Sequence, residues 1–88
     1  MQKVITKSGF ECLINKERLD DMELVDKIAE ADAGNPLAVS AVIIKVLGEE
    51  QKAKLYNHLR NEDGRVPIEK VGEEIVEIIT SLGNEGKN

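Results

Sequence analysis

The run GNPLAVSAVIIKVLG, Gly34 to Gly48, is apolar on nearly every side once wound into a helix, and this restricts the fold more than any other stretch. A helix without a polar face belongs at the centre of a bundle or against a partner. Its limits are marked at both ends. Asn35 supplies an N-cap, and Pro36 takes the first helical position, where a missing N–H costs nothing. Gly48 ends the run, which is interrupted by Ser40 and Lys45 and is too short to cross a bilayer. Other elements must therefore cover this helix, and 88 residues suffice for one small domain that does so.

The covering elements have their own signals. QKVIT carries β-branched Val4 and Ile5, and the KSG of Lys7 to Gly9 makes a turn. FECLI then alternates, with Phe10, Cys12 and Ile14 on one face and Glu11 and Leu13 on the other. The pattern predicts a hairpin over residues 1–15. A hairpin is marginal alone in water, so one face must lie on helices or pair with another chain. A first helix begins at Asp20 or Asp21, with Met22, Val25, Ile28 and Ala29 as its inward set, and closes at Gly34.

A third helix is expected over Glu49 to Asn61, with Ala53, Tyr56 and Leu59 on one stripe. The fourth starts at Pro67. There Ile68, Val71, Ile75, Ile78 and Leu82 follow a heptad rhythm, and Val76 and Ile79 widen the stripe. Gly72 lies inside that helix, where glycine costs about 1 kcal/mol against alanine; close approach by another helix is the expected reason. The fold class predicted is mainly α, a small four-helix domain over 1–82 with an N-terminal β-hairpin. The fourth helix should pack near the second. The polar end GNEGKN, 83–88, reads as a disordered tail.

Composition removes several functions. Seventeen acids against 12 Lys and Arg leave a net charge of −5, which repels phosphate backbones and anionic lipid. Phe10 and Tyr56 are the only aromatics, too few for a base-stacking platform. The single Cys12 excludes an internal disulfide and fits a reducing compartment. The opening MQKVITKSGF has no apolar core of a secretion signal, so a cytoplasmic location is expected.

HLRNEDGRVP, His58 to Pro67, holds the only histidine and most of the candidate chemistry. On a helix Glu62 would lie four residues beyond His58, close enough for a hydrogen bond or for two metal ligands. No second histidine or cysteine completes such a site. An enzyme built on His58, Glu62, Asp63 and Arg65 would need a nucleophile, and Ser8, Ser40, Ser81 and Cys12 carry no nucleophile signature. Cys12 reads as a small buried hydrophobe. The acids Glu17, Asp20, Asp21, Glu23 and Asp26 lack the glycine and glutamate of a calcium loop and read as caps and a solvated face. No phosphate loop occurs, so neither cofactor nor metal is expected. HLRNEDGRVP becomes a joint: Asn61 to Gly64 ends one helix, Pro67 opens the next, and Arg60, Asp63 and Arg65 pair with helix ends and one another. What remains is an acidic helical module with a broad apolar stripe, the profile of a non-enzymatic interaction protein.

The order of segments resembles a known family. FECLINKERLDDMELVDKIAEAD, then GNPLAVSAVIIKVLGEEQKAKLYNHLRNEDGRVP, then an amphipathic helix, is similar to the small tail assembly chaperones of long-tailed (siphovirus-type) bacteriophages. The likeness covers nearly the whole chain, and its most distinctive part is LGEEQ through EDGRVP, Leu47 to Pro67. The resemblance implies a protein that binds the aggregation-prone tape measure protein in the host cytoplasm and assists tail tube polymerisation. Members are absent from the mature virion, and a longer form is often made by ribosomal frameshifting. Gly86-Lys87-Asn88 can be encoded as GGA AAA AAC, which contains a slippery heptamer. Partner contacts are expected at Val76 and Ile79 on the fourth helix, and at Tyr56, Arg60, Asp63 and Arg65. Self-association stays open. The alternative is a small acidic phage or bacterial adaptor that occupies one host protein.

Overall fold

The computed structural model describes residues 1–85. The hairpin forms as the alternation predicts. Strands β1 (Gln2–Ile5) and β2 (Glu11–Ile14) pair antiparallel with Val4 opposite Cys12. Thr6 and Phe10 carry the pairing one step beyond the strands and leave a turn of three residues, Lys7 to Gly9. The Gly9 N–H donates to the Thr6 carbonyl and the Thr6 N–H to the Phe10 carbonyl, both at 2.9 Å. Gly9 has φ 93°, the left-handed conformation that the last residue of such a loop requires. Val4, Phe10, Cys12 and Ile14 all face the core.

A 3-10 turn, Lys16–Leu19, leads to α1 (Met22–Asp32). Asp21 caps it, accepting the Glu23 N–H at 2.9 Å. The inward face differs from expectation. Leu24 is buried and Ile28 half-buried, whereas Met22 is 69% exposed, Val25 48%, and Ala29 also faces outward. Of the expected set only Ile28 turns inward, and Leu24, outside that set, is the residue fully buried; Asp21 marks the same face. It lies three residues before Leu24 and seven before Ile28, on the same face. Its carboxylate pairs with Lys45 of the next helix at 3.1 Å, at the edge of the buried face. The helix closes with the Asn35 N–H on the Glu30 carbonyl and the Gly34 N–H on the Ala31 carbonyl, both at 3.1 Å. Gly34, at φ 103°, sits where this closure requires a left-handed residue. Asn35 then serves the next helix, accepting the Leu37 N–H at 3.1 Å.

The expected second and third helices merge, which changes the helix count from four to three. Segments 36–48 and 49–61 form one element, α2 (Pro36–Leu59), bent at Gly48. Gly48 has φ 82° and ψ 167°, outside the helical region, so the expected break is present although the chain resumes helix at once. The bend frees carbonyls, and polar side chains take them. Arg18 Nη1 donates to the Lys45 carbonyl at 3.3 Å, and Gln51 Nε2 to that of Leu47 at 3.0 Å. Gln51 also pairs with both backbone groups of Leu13, at 2.7 and 2.8 Å, tying β2 to α2. Beyond the bend the inward residue is Leu55, at 0% exposure, with Tyr56 and Leu59 half-buried. Ala53, expected inward, is exposed. The inward line runs through Leu55 and Leu59, four residues apart, and Ala53 falls off it.

The last helix, α3 (Ile68–Glu85), starts just after Pro67, whose carbonyl accepts the Val71 N–H at 3.2 Å. Val71, Ile75, Ile78 and Leu82 are buried as the heptad rhythm predicts, but Ile68 is 66% exposed. The helix runs through Gly83 to Glu85, so 83–85 are helical rather than tail. Residues 86–88 of the expected tail lie outside those described. As expected, α3 packs on α2; it also meets β1, while α1 packs on α2 as well. Ile14, Leu24, Ile43, Val46, Leu55, Ile78 and Leu82, drawn from β2 and all three helices, form the innermost core. At about 2–5 kcal/mol for truncation of one such side chain, this aliphatic cluster carries most of the fold.

Candidate functional site

Because α1 and α3 both lean on α2, the space between them stays open. It forms a groove of about 710 Å³. Val42 and Ile75 make its buried floor, Ile28, Ala31 and Val39 its α1–α2 wall. Gly72, Val76 and Ile79 make the α3 wall, and Val76 is 63% exposed. Gly72 does not serve the expected close approach of another helix. A Cβ built there meets nothing within 4 Å, and the residue opens into the groove instead.

The rim is acidic. Asp32 of α1 faces Glu69, Glu73 and Glu77 of α3, with Lys7 as the single cation along the groove. Glu69, Glu73 and Glu77 repeat every four residues, so like charges stack along one edge at a cost of a few tenths of a kcal/mol per pair. Among the described residues no ion pair neutralises Asp32, Glu69 or Glu73. Glu77 accepts the Lys7 backbone N–H at 2.8 Å.

That last bond belongs to a fastening of the hairpin loop. Thr6 Oγ1 donates to Glu74 Oε1 at 2.8 Å in a buried contact and accepts the Phe10 N–H at 3.2 Å. His58, weighed above as base or metal ligand, takes part as well. Its Nε2 lies 3.1 Å from the Ser8 carbonyl and 3.0 Å from the Ser8 hydroxyl, and its ring sits 5.7 Å from that of Phe10. A carbonyl only accepts, so the first contact places the proton on Nε2, which then has no lone pair for the Ser8 hydroxyl. Glu62 is not its partner: α2 ends at Leu59, and helical spacing no longer applies. Among the described residues no cluster of three or more metal-ligating side chains occurs. Cys12 is 3% exposed, and burial, then the nearby Glu74 charge, pushes its thiol up to about 11. A thiol so protonated is a poor nucleophile.

The six residues expected at a partner surface separate into three places. Val76 and Ile79 line the groove. Tyr56 borders a hollow of about 150 Å³ with Pro36, Val66, Ile68 and Val71, and Lys52 Nζ lies 5.5 Å from its ring centre. Arg60, Asp63 and Arg65 stay in the joint. Arg60 donates to the Gly64 carbonyl at 2.9 Å and to Asn57 Oδ1 at 3.1 Å. No ion pair joins Arg60, Asp63 and Arg65 to one another among the described residues. Asn61 closes the joint instead, its Oδ1 accepting the N–H groups of Asp63 and Arg65 at 3.0 Å each. The Asn-x-x-Gly spacing carries that signal, since asparagine side chains mimic a turn of backbone. The groove residues of α1 and α2 had no such signal, because only the tertiary arrangement aligns them.

Among the described residues no helix is long and apolar enough to cross a membrane. Comparison of the chain with protein-family models, with curated proteins and with solved structures gives no match.

Proposed function

We infer that this protein is a non-enzymatic tail assembly chaperone of a long-tailed bacteriophage, which binds the tape measure protein in the host cytoplasm and assists tail tube polymerisation. The groove between α1 and α3 is the observation that carries the reading. It keeps Val76, Ile79, Ile28 and Val39 within reach of solvent beside four carboxylates. A chaperone for a long, aggregation-prone helical client needs both features: apolar surface to cover the client and charge to keep the complex dissolved. Repeated weak binding along an extended client gains from avidity, so no single site has to be tight. The resemblance over Leu47 to Pro67 supplies the identity of the client.

Coexpression tests this directly. The full chain, produced with the tape measure protein encoded downstream of it, should raise the soluble fraction of that protein and copurify with it. An unchanged soluble fraction, with the chain folded and in excess, would sink the reading.

A further inference from the structure

We propose that the groove between α1 and α3 takes one amphipathic helix of a partner protein, about three turns long, apolar along one side and flanked by lysine or arginine. The inference rests on the chain having a protein client, and it adds which surface binds and what the client segment must look like.

Length follows from the lining. Along α3 the groove runs from Glu69 to Ser81, about 18 Å at 1.5 Å per residue, which matches about 12 residues of partner helix. A helix fits better than a strand, because Ala31 and Gly72, small residues on opposing walls, let a rounded backbone settle on Val42 and Ile75. Gly72 supplies an independent indication. Glycine inside a helix is unfavourable, and no neighbour within this chain makes use of the space, since a Cβ there meets nothing within 4 Å. The space is used only if something enters from outside.

Charge fixes the sign of the partner. Asp32, Glu69, Glu73 and Glu77 rim the groove against Lys7 alone. A second copy would carry its own acidic rim and net charge of −5 into this field. A helix flanked by basic residues would instead relieve the glutamate repulsion along α3.

The test uses two fluorescently labelled peptides of about 16 residues, long enough for three turns and flanks. Both carry leucines at i, i+3, i+4 and i+7; one has lysine and arginine flanks, the other glutamate flanks. Fluorescence anisotropy with the full chain should show the basic peptide binding about tenfold or more tightly, a gap of about 1.4 kcal/mol that shrinks with added salt. Gly72→Leu should weaken the basic peptide about tenfold. The double variant Glu69→Lys with Glu73→Lys, altered only on the surface, should favour the acidic peptide.

Equal binding of both peptides, binding of neither, or binding unaffected by Gly72→Leu and by the charge reversal would each overturn the proposal. So would sedimentation showing a dimer of the chain that Gly72→Leu dissociates, which would make the occupant a second copy. The chaperone reading fails separately. If the basic peptide binds the groove but tape measure solubility is unchanged, the client assignment falls and the groove assignment stands. If Gly72→Leu solubilises the tape measure protein as well as the native chain does, the groove assignment falls and the chaperone reading stands.

Discussion

Gly48 and Gly72 are both glycines inside helical sequence, and they do opposite things. Gly48 is there for its backbone. With φ 82° and ψ 167° it bends α2 in a conformation that is essentially restricted to glycine. The carbonyls it frees are held by Arg18 and Gln51. Gly72 has no such backbone role: it is an ordinary helical residue whose absent side chain leaves room in the groove. The first serves the fold at the expense of helix continuity, and the second weakens the helix for no benefit inside the chain. A residue type that locally disfavours helix can thus mark either a bend in the core or an open trough beside a helix. Only the surroundings decide which.

The comparison is easiest to break at Gly48. Gly48→Ala should destabilise the protein by about 1–3 kcal/mol, because alanine must hold a conformation it rarely adopts. Its Cβ would also lie 3.4 Å from the Arg18 guanidinium. Urea unfolding followed by circular dichroism measures this, and a loss near zero would mean that the bend is not fixed by the glycine. The next effect has the opposite sign. Gly72→Ala should stabilise the protein by up to about 1 kcal/mol, since the helix gains and no neighbour is displaced. A destabilisation matching that of Gly48→Ala would show that Gly72 is packed after all.

A smaller effect concerns how α1 is seated on α2 before the bend. The hydrogen bond from Lys45 lowers the Asp21 carboxyl below its ordinary value. A group with a depressed folded pKa adds stability above its unfolded value of about 3.9 and loses it as pH falls below that toward the folded value. Asp21→Asn keeps a competent cap but removes the charge. The variant should therefore lie below the native protein in urea midpoint at neutral pH and converge with it under acid. A constant gap down to pH about 3 would contradict the pairing.

How much of this was legible in the sequence depended on whether the signal was local. Asn35-Pro36, Gly34 and the alternation of Phe10, Cys12 and Ile14 are local devices, and each reads correctly. The α3 stripe was legible from Val71 onward because one helix face keeps its phase over about three turns. On α1 the expected set is right at Ile28 and misses Leu24, because apolar residues occur on both faces of that helix and only its packing on α2 shows which is covered. Leu55 was missed because the expected stripe after Gly48 passes through Ala53, Tyr56 and Leu59, whereas the buried line runs through Leu55 and Leu59, four residues apart, with Tyr56 beside it. For the groove, Val76 and Ile79 were legible as excess apolar width, whereas Ile28, Ala31 and Val39 come from two other helices. The glutamates at 69, 73 and 77 look like any solvated face until the apolar trough beside them is known.

On α3, Val71, Ile75, Ile78 and Leu82 are buried in the core, and Gly72, Val76 and Ile79 line the groove proposed for the client. The most direct measurement is the soluble yield of the tape measure protein coexpressed with Gly72→Leu, alongside the thermal midpoint of the purified variant. The prediction is a midpoint at or above that of the native chain with the solubilising effect largely lost. A normally folded Gly72→Leu that solubilises the client as well as the native chain does would show that the groove is not where the client binds.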